Sequence, residues 1–255
     1  MKLKKFIAAF ALLAAVTCGA FAKNHPYGMD IVAGVIGVEY CSATYREWGN
    51  PFKIEASHNV VDLFPIKVNA YICPWLNNHL GIYGEVGVLP GVNCNYKEKV
   101  MGFEAKSNAA GFNIGLETMI GPAFGIDLGE SSVRFQVGAP FHYMVGWGAL
   151  ATDPNFNAAK NAWDWGRDID LTYSAFGLAL TPQFRFAANK RCSFVVGMDF
   201  VFDFVYNETW EYNAIVRVNG RDFTYKQRYS PTSDADSTFR FAWLPYLGVG
   251  INFGN

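Results

Sequence analysis

The side chains that could do chemistry in this sequence are acids and bases set singly among apolar residues. The acids are Glu39, Glu85, Glu117, Asp199 and Asp203, and the bases are Lys67, Arg134, Arg185 and Arg240, with His142 beside them. Their signs nearly balance. Because buried charges must pair or lose their charge, the set predicts an internal network of salt bridges. A narrow conductive path or a proton route is the alternative that the same residues leave open.

The histidines and cysteines give little support to catalysis or metal binding. Ser57 precedes His58, but adjacent residues on a strand point to opposite sides, so they make a poor nucleophile and base. His142 has no convincing serine partner, and the cysteine spacings match no zinc motif. Cys41 and Cys94 fall in neighbouring loops, which leaves a disulfide between them open. A formal net charge of -1 offers no basic surface to nucleic acid. We expect no enzymatic activity, cofactor, metal or nucleic-acid partner.

The beginning of the chain has the pattern of an export signal. Lysines at the start precede the apolar segment 6–16, and a small residue stands at each end of Ala20-Phe21-Ala22. We predict a signal peptide over residues 1–22 and one domain over residues 23–255. Acylation of Cys18 and an uncleaved anchor are the less favoured alternatives.

Alternation of side chains organises the rest of the chain. Thr238–Phe253 has apolar residues at every odd position and mostly small or polar residues at even ones, which is typical of a long strand with two unlike faces. Seven earlier stretches alternate similarly, and the connections between strands are alternately long and short. That plan predicts an all-β fold, an eight-stranded antiparallel up-and-down transmembrane barrel with short periplasmic turns and long external loops. The strands are predicted at 30–40, 61–73, 80–89, 109–128, 133–147, 169–186, 193–206 with an extension to 218, and 238–253.

Local signals add detail to this plan. In the first strand Val32 and Ile36 are predicted to share the apolar face. Asn77-Asn78 tolerates positive φ and predicts a tight turn. The sixth strand reverses its parity near Ser174–Ala175, which predicts a bulge. Asn219-Gly220 is a strong hairpin signal, so the seventh and eighth strands are expected to protrude together.

The polar face distinguishes a membrane barrel from a soluble one. Its positions include many glycines, which weaken a strand that faces water but suit a narrow lumen. They are Gly87, Gly111, Gly115, Gly138, Gly146, Gly177, Gly197, Gly248 and Gly250. The opposite face is too large and aromatic to converge inside eight strands. We therefore predict that the apolar face contacts lipid, with aromatic girdles near both strand ends.

The end of the last strand carries a more specific pattern. Tyr246, Gly248, Ile251 and Phe253 resemble the terminal-strand signal of bacterial outer-membrane barrels, although two residues follow the final Phe. With the strand plan, this makes residues 23–255 similar to eight-stranded outer-membrane proteins of the OmpA-domain, OmpX, opacity-protein and OmpW type. The resemblance implies an outer-membrane location, loops on the cell surface, and the barrel-assembly machinery and membrane lipid as partners.

The same resemblance also frames the functional alternatives. The OmpA comparison implies a charged plug, and the OmpW comparison implies a channel for a small or hydrophobic solute. Small-barrel lipid enzymes of the PagP and PagL type leave an outer-leaflet lipid-modifying enzyme as a remote alternative.

Aromatic residues in the predicted external loops are candidate contact residues. They are Trp48, Trp163, Trp165, Trp210, Tyr212 and Tyr225. Such residues are costly to expose and are enriched at contact surfaces. They favour a structural or adhesion role with a host or cell-surface ligand, unless they rest at the membrane interface or pack the loops together.

Overall fold

Extended backbone runs through nearly all of the described chain. The computed structural model describes residues 27–45, 53–107, 111–128, 132–150, 155–157, 162–164, 169–189, 191–218, 221–229 and 235–253. The strands are β1 Tyr27–Gly34, β2 Ile36–Tyr45, β3 Ile54–Leu63, β4 Ile66–Trp75, β5 Leu80–Val100, β6 Phe103–Ser107, β7 Gly111–Asp127, β8 Val133–Gly138, β9 Phe141–Leu150, β10 Asn155–Asn157, β11 Ala162–Asp164, β12 Ile169–Ala187, β13 Cys192–Val218, β14 Arg221–Tyr229 and β15 Ala235–Asn252. Within these ranges, no helix is long and apolar enough to cross a membrane.

The strand segments combine into eight barrel strands. In chain order the barrel strands are β1 with β2, β3 with β4, β5, β6 with β7, β8 with β9, β12, β13, and β14 with β15. Each pairs antiparallel with the next. β15 also pairs with both β1 and β2, which closes the sheet and removes its edges, as a bilayer requires. The predicted fold class, an eight-stranded antiparallel barrel, is confirmed.

The barrel strands are strongly inclined, and this inclination brings distant charges together. Following paired residues once around the barrel from Asp30 ends at Cys41, eleven residues further along the first barrel strand. The row runs through Asp30, Asn69, Glu85, Met119, His142, Gly177, Asp203, Arg240 and Cys41. Every member of this row is buried. Charged side chains from five different barrel strands therefore share one spiral path on the inner wall.

The outer surface of the barrel is apolar. Its exposed side chains include Ile31, Val86, Ile120, Leu180 and Val249, each on a different barrel strand, and Ile120 is 66% exposed. Rings contact one another on this surface toward both ends of the strands, as in Phe135 with Phe184 and Phe176 with Phe204. A continuous apolar belt around a closed barrel is the surface that contacts hydrocarbon.

The turns and the long hairpin agree with the sequence signals. Leu76, Asn77 and Asn78 all have positive φ in the tight turn between β4 and β5, as Asn77-Asn78 predicts. β13 contains 27 residues and pairs with β14 out to Val218 and Arg221. Its chain is about 90 Å long, far more than the ~30 Å hydrocarbon layer, so this hairpin extends well past the membrane.

The first two barrel strands each contain a kink that the sequence reading did not predict. Val32 is 1% exposed whereas Ile36 is 50% exposed, so these two residues do not share a face. The break falls at Val35, whose carbonyl accepts a hydrogen bond from the amide of Phe64. Phe64 has a φ of 54° and marks a matching kink between β3 and β4. Across each kink the inward-facing positions change from even-numbered to odd-numbered residues. Asp30, which precedes the first kink, therefore faces the lumen.

The predicted bulge of the sixth barrel strand lies instead on its neighbour. Alternation is unbroken in β12, and Leu171 and Tyr173 are buried inside. The register with β13 shifts next to Phe176, because Phe204 has no partner in the pairing. The prediction was wrong because Leu171 and Tyr173, although apolar, fill the lumen and do not lie on the outer face.

Candidate functional site: the charged lumen

Lys67 lies among three carboxylates at the middle of the lumen. Its Nζ is 2.6 Å from Glu117 Oε1, 2.6 Å from Asp199 Oδ2 and 3.2 Å from Glu85 Oε1. The lysine comes from β4 and the acids come from β5, β7 and β13, so four barrel strands are joined at one ammonium group. All four side chains are buried. In such a place the charges depend on one another for stability.

His142 and Arg240 extend this cluster into a continuous chain. His142 Nε2 is 3.5 Å from Glu117 Oε2, and His142 Nδ1 is 2.7 Å from Asp203 Oδ1. Arg240 Nη1 donates to Asp203 Oδ2 at 2.5 Å. Its Nε and Nη2 donate to the two oxygens of Glu39 at 2.8 Å and 2.6 Å, the two-point pairing in which Arg binds a carboxylate most strongly. Eight of the ten predicted network residues thus form one connected group.

The other two predicted bases lie apart from that group, near the short turns. Arg185 Nη2 is 2.9 Å from Asp30 Oδ1. Arg134 Nη1 is 3.2 Å from Asp127 Oδ1, and its Nη2 donates to the carbonyl of Asn78 at 2.5 Å. Both arginines are buried. They therefore close the turn end of the lumen rather than neutralise its centre.

Two tyrosines fill the lumen between these groups. The rings of Tyr71 and Tyr83 are buried with their centroids 4.7 Å apart. Tyr71 OH donates to the carbonyl of Thr181 at 2.7 Å, and Tyr83 OH donates to Glu85 Oε2 at 2.5 Å. This pair gives the lumen a solid layer between Lys67 and the turn end.

The sequence predicts nearly equal numbers of acids and bases in the lumen, and this prediction is wrong for the centre of the lumen. Three buried acids, Asp30, Asp62 and Glu208, were not among the predicted residues. With Asp62 included, the central group has six carboxylates against Lys67, Arg240 and His142. These three acids were not predicted to face inward because an irregularity near each one reverses which alternate residues face the lumen. The irregularities are the kinks at Val35 and Phe64 and the bulge at Phe204. Pro65 restricts the backbone of Phe64, the residue before it, and is the sequence signal from which the inward position of Asp62 could have been predicted.

The loop end of the lumen holds the remaining histidine that faces inward. His58 Nδ1 is 3.8 Å from Glu208 Oε2, and Tyr206 OH donates to the same oxygen at 3.1 Å. Ser57 lies on the opposite face of its strand. In the described part of the chain, no group of three or more His, Cys, Asp or Glu side chains is suited to a metal ion.

The cysteines of the described strands are unbridged. Cys41, Cys73, Cys94 and Cys192 all have free thiols. Cys41 is buried inside the barrel, whereas Cys94 alternates with the inward Asn93 and so lies on the other face. The disulfide between Cys41 and Cys94 that the sequence left open is not formed.

The predicted contact residues occupy the loop end as far as they can be located. Trp48 and Trp165 lie outside the described residues. Trp163 pairs with Phe156 in the small hairpin of β10 and β11. The backbones of Trp210, Tyr212 and Tyr225 lie in the extended hairpin of β13 and β14. Their contact role stays a prediction.

The residues of the predicted assembly signal divide between the two faces of β15. Tyr246 is buried, and its OH donates to Gln183 Oε1 at 3.3 Å. Ile251 and Phe253 are exposed on the lipid face, and Gly248 pairs with Val32 of the first barrel strand. Recognition of these residues by assembly machinery stays a prediction, as do the signal peptide and cleavage site, which lie outside the described residues.

Several solved structures are similar to this one at low sequence identity. The outer membrane protein OprG from Pseudomonas aeruginosa is 13% identical, with a TM-score of 0.50 over 92% of this chain and 100% of OprG. The outer membrane protease OmpT from Escherichia coli is 9% identical, with a TM-score of 0.49 over 92% of this chain and 98% of OmpT. Ail, the attachment invasion locus protein of Yersinia pestis, is 14% identical, with a TM-score of 0.33 over 91% of this chain and 100% of Ail.

No family model matches the chain, and no curated protein matches it. At 13% identity the likeness to OprG shows the fold alone. Together with the closed sheet, the apolar belt and the charged interior, it shows the class of fold: a small, eight-stranded β-barrel of the kind found in outer-membrane proteins.

Proposed function

We propose that this protein is a non-enzymatic barrel of the bacterial outer membrane, with its lumen closed by the charge network and its long loops on the cell surface. Its role is structural or recognition, through contacts of those loops with a host or cell-surface ligand. The observation that carries the proposal is the unbroken chain of polar contacts that begins at Glu85 and Lys67 and reaches Glu39. It passes through Glu117, His142, Asp203 and Arg240.

The packing around the network supports a closed lumen. Glycines on the inner wall make room for large side chains: a Cβ on Gly146 would lie 2.0 Å from Cζ of Tyr173, and one on Gly197 would lie 2.7 Å from the ring of Tyr246. Leu89, Met119, Met144, Leu171 and Leu244 are also buried. An eight-stranded barrel is just wide enough for side chains to fill it, so these residues leave little room for a water column.

The contacts of the histidines support a non-enzymatic role. Within the described residues, His142 contacts Glu117 and Asp203, and His58 contacts Glu208. A lipid acyltransferase or deacylase of the remote alternative would need a nucleophile beside one of these bases. Loss of lipid turnover in His58→Ala protein, after turnover is found in the wild type, is the result that would favour the enzyme.

A narrow channel is the second candidate, and the excess of carboxylates at the centre favours cations as its solute. The same charges disfavour a hydrophobic solute, because apolar molecules gain nothing from a lumen lined by ion pairs.

Single-channel recording on protein refolded into planar bilayers separates these functions. The closed barrel is expected to show no steady conductance above leak in the wild type. Arg240→Ser removes the base paired with Glu39 and one of the two partners of Asp203, and it is expected to produce conducting events. Steady unitary conductance in the wild type would contradict the closed lumen.

Orientation is tested with one peptide tag placed at two sites. A tag between Asn219 and Gly220 is expected to bind antibody on intact cells, whereas the same tag between Asn189 and Lys190 is expected to bind only after the outer membrane is permeabilised. The reverse pattern would contradict surface exposure of the long loops.

A further inference from the structure

A group of buried oxygens lies on the loop side of Lys67, outside the ion-pair chain. Asp62 is 1% exposed, and neither of its carboxylate oxygens has a hydrogen-bond partner among the described residues. The same holds for Oδ1 of Asn113 and for both polar side-chain atoms of Asn93. Buried polar atoms in folded proteins nearly always have a partner. Several such atoms in one place indicate that they bind something.

The strand register brings the side chains of Asp62 and Asn113 to one notch in the inner wall. Asp62 pairs with Gly91, which pairs with Asn113, so both side chains flank a residue that has none. A Cβ on Gly91 would lie 2.5 Å from Asn113 Oδ1 and 2.9 Å from Asp62 Oδ1. Asn93 is the next inward residue along β5. On the other side of Asp62, a Cβ added to Gly37 would lie 3.0 Å from Asp62 Oδ2.

Among the described residues, Asp62 has no base of its own. The charged groups beside it are Glu39 and Arg240, and Arg240 is already bonded to both oxygens of Glu39 and to Asp203. Lys67 is surrounded by three other carboxylates. An ionised carboxylate in a buried site must be paired or must bind a cation.

We propose that Asp62, with the side-chain oxygens of Asn113 and Asn93, binds a hard cation of calcium size that enters from the loop end. Calcium fits better than magnesium, because it accepts irregular sets of carboxylate and amide oxygens together with water, whereas magnesium demands near-ideal octahedral geometry. Among the described acids, histidines and cysteines, no group of three or more could hold a metal ion, so the site also needs the amide oxygens. The site ends at the ion-pair chain and is independent of whether the loops recognise a ligand.

Calcium binding to the refolded, chelator-treated protein tests the proposal. Equilibrium dialysis with radiolabelled Ca²⁺ is expected to give one bound ion per barrel, and Ca²⁺ is expected to raise the midpoint of thermal unfolding because it binds only the folded state. Mg²⁺ and Na⁺ are expected to compete weakly.

Three variants localise the site. Asp62→Asn keeps the shape and removes the charge, and is expected to weaken binding by at least about 30-fold, since one buried charge partner is lost. Gly91→Ala places a methyl group within contact of both oxygens and is expected to abolish binding. Gly84→Ala is the matched control on the same strand, because its new Cβ would have no atom nearer than 4.0 Å. It is expected to bind as the wild type does.

Two results would overturn the proposal. One is the absence of saturable binding by folded wild-type protein, and the other is equal binding by the wild type and Gly91→Ala. If Asp62 and Glu39 merely share a proton, the unfolding midpoint will rise on acidification without any response to Ca²⁺, which also overturns it. Because Gly91→Ala leaves every charge in place, it decides the question even if Asp62→Asn fails to refold.

Discussion

Removal of the Lys67 ammonium group is the perturbation whose consequence follows most directly from the lumen geometry. Lys67→Met keeps most of the side-chain volume but removes the ammonium group that lies within 3.2 Å of Glu85, Glu117 and Asp199. Removing one partner of a buried ion pair costs about 3–5 kcal/mol, because the other charge stays buried and uncompensated. With three acids dependent on one lysine, we expect a loss at the upper end of that range.

The assay is equilibrium unfolding by urea of the refolded barrel, at neutral and at acid pH. The loss in Lys67→Met is expected to be smaller at acid pH, because protonation removes the uncompensated negative charge of the three carboxylates. Lys99→Met is the matched control. Lys99 lies 3.8 Å from Glu55 with both side chains exposed, and such a surface pair contributes at most about 1 kcal/mol. If the two variants lose equal stability at neutral pH, the reasoning about the central cluster is refuted.

Further substitutions test the packing, the lipid face and the assembly signal. Gly146→Ala is expected to destabilise the barrel by about 1–3 kcal/mol through overpacking against Tyr173, and Tyr173→Leu in the same protein should recover most of it in urea titration. Ile120→Arg, at a position that is 66% exposed on the outer surface, is expected to cost about 2–4 kcal/mol in bilayers, whereas Leu76→Arg in the turn should cost less than half as much. Phe253→Ala is expected to lower the amount of folded barrel in cells several-fold while refolding in detergent proceeds normally, as measured by heat-dependent gel mobility. An equal defect in both settings would contradict a role for Phe253 in assembly.

Much of the architecture could be predicted because alternation is a local signal. Glu85 and Val86, or Glu117 and Thr118, reveal their faces from two neighbouring letters of the sequence. The same rule failed wherever the chain kinks. Asp30, Asp62 and Glu208 were missed because single irregularities at Val35, Phe64 and Phe204 reverse the parity.

The partners of each lumen charge could not be predicted for a different reason. The inclination of the strands decides which residues share a level, and it is a property of the closed sheet as a whole. Nothing local indicates that Lys67 meets Asp199, which lies 132 residues away. The sequence also does not show that Arg134 and Arg185 lie apart from the central network. The register of the closed sheet decides which charges they lie beside.

The measurement that tests the account most directly asks which face of the barrel meets lipid. After replacement of the cysteines, a nitroxide label is attached in turn at Val86, Ile120 and Val249 in protein reconstituted into vesicles. If the apolar face contacts lipid, each label is expected to collide frequently with oxygen dissolved in the bilayer and rarely with a water-soluble nickel complex. Labels that collide with the nickel complex instead, or that are immobile and shielded from both reagents, would place these side chains in water or inside the barrel and would contradict a lipid-facing apolar surface.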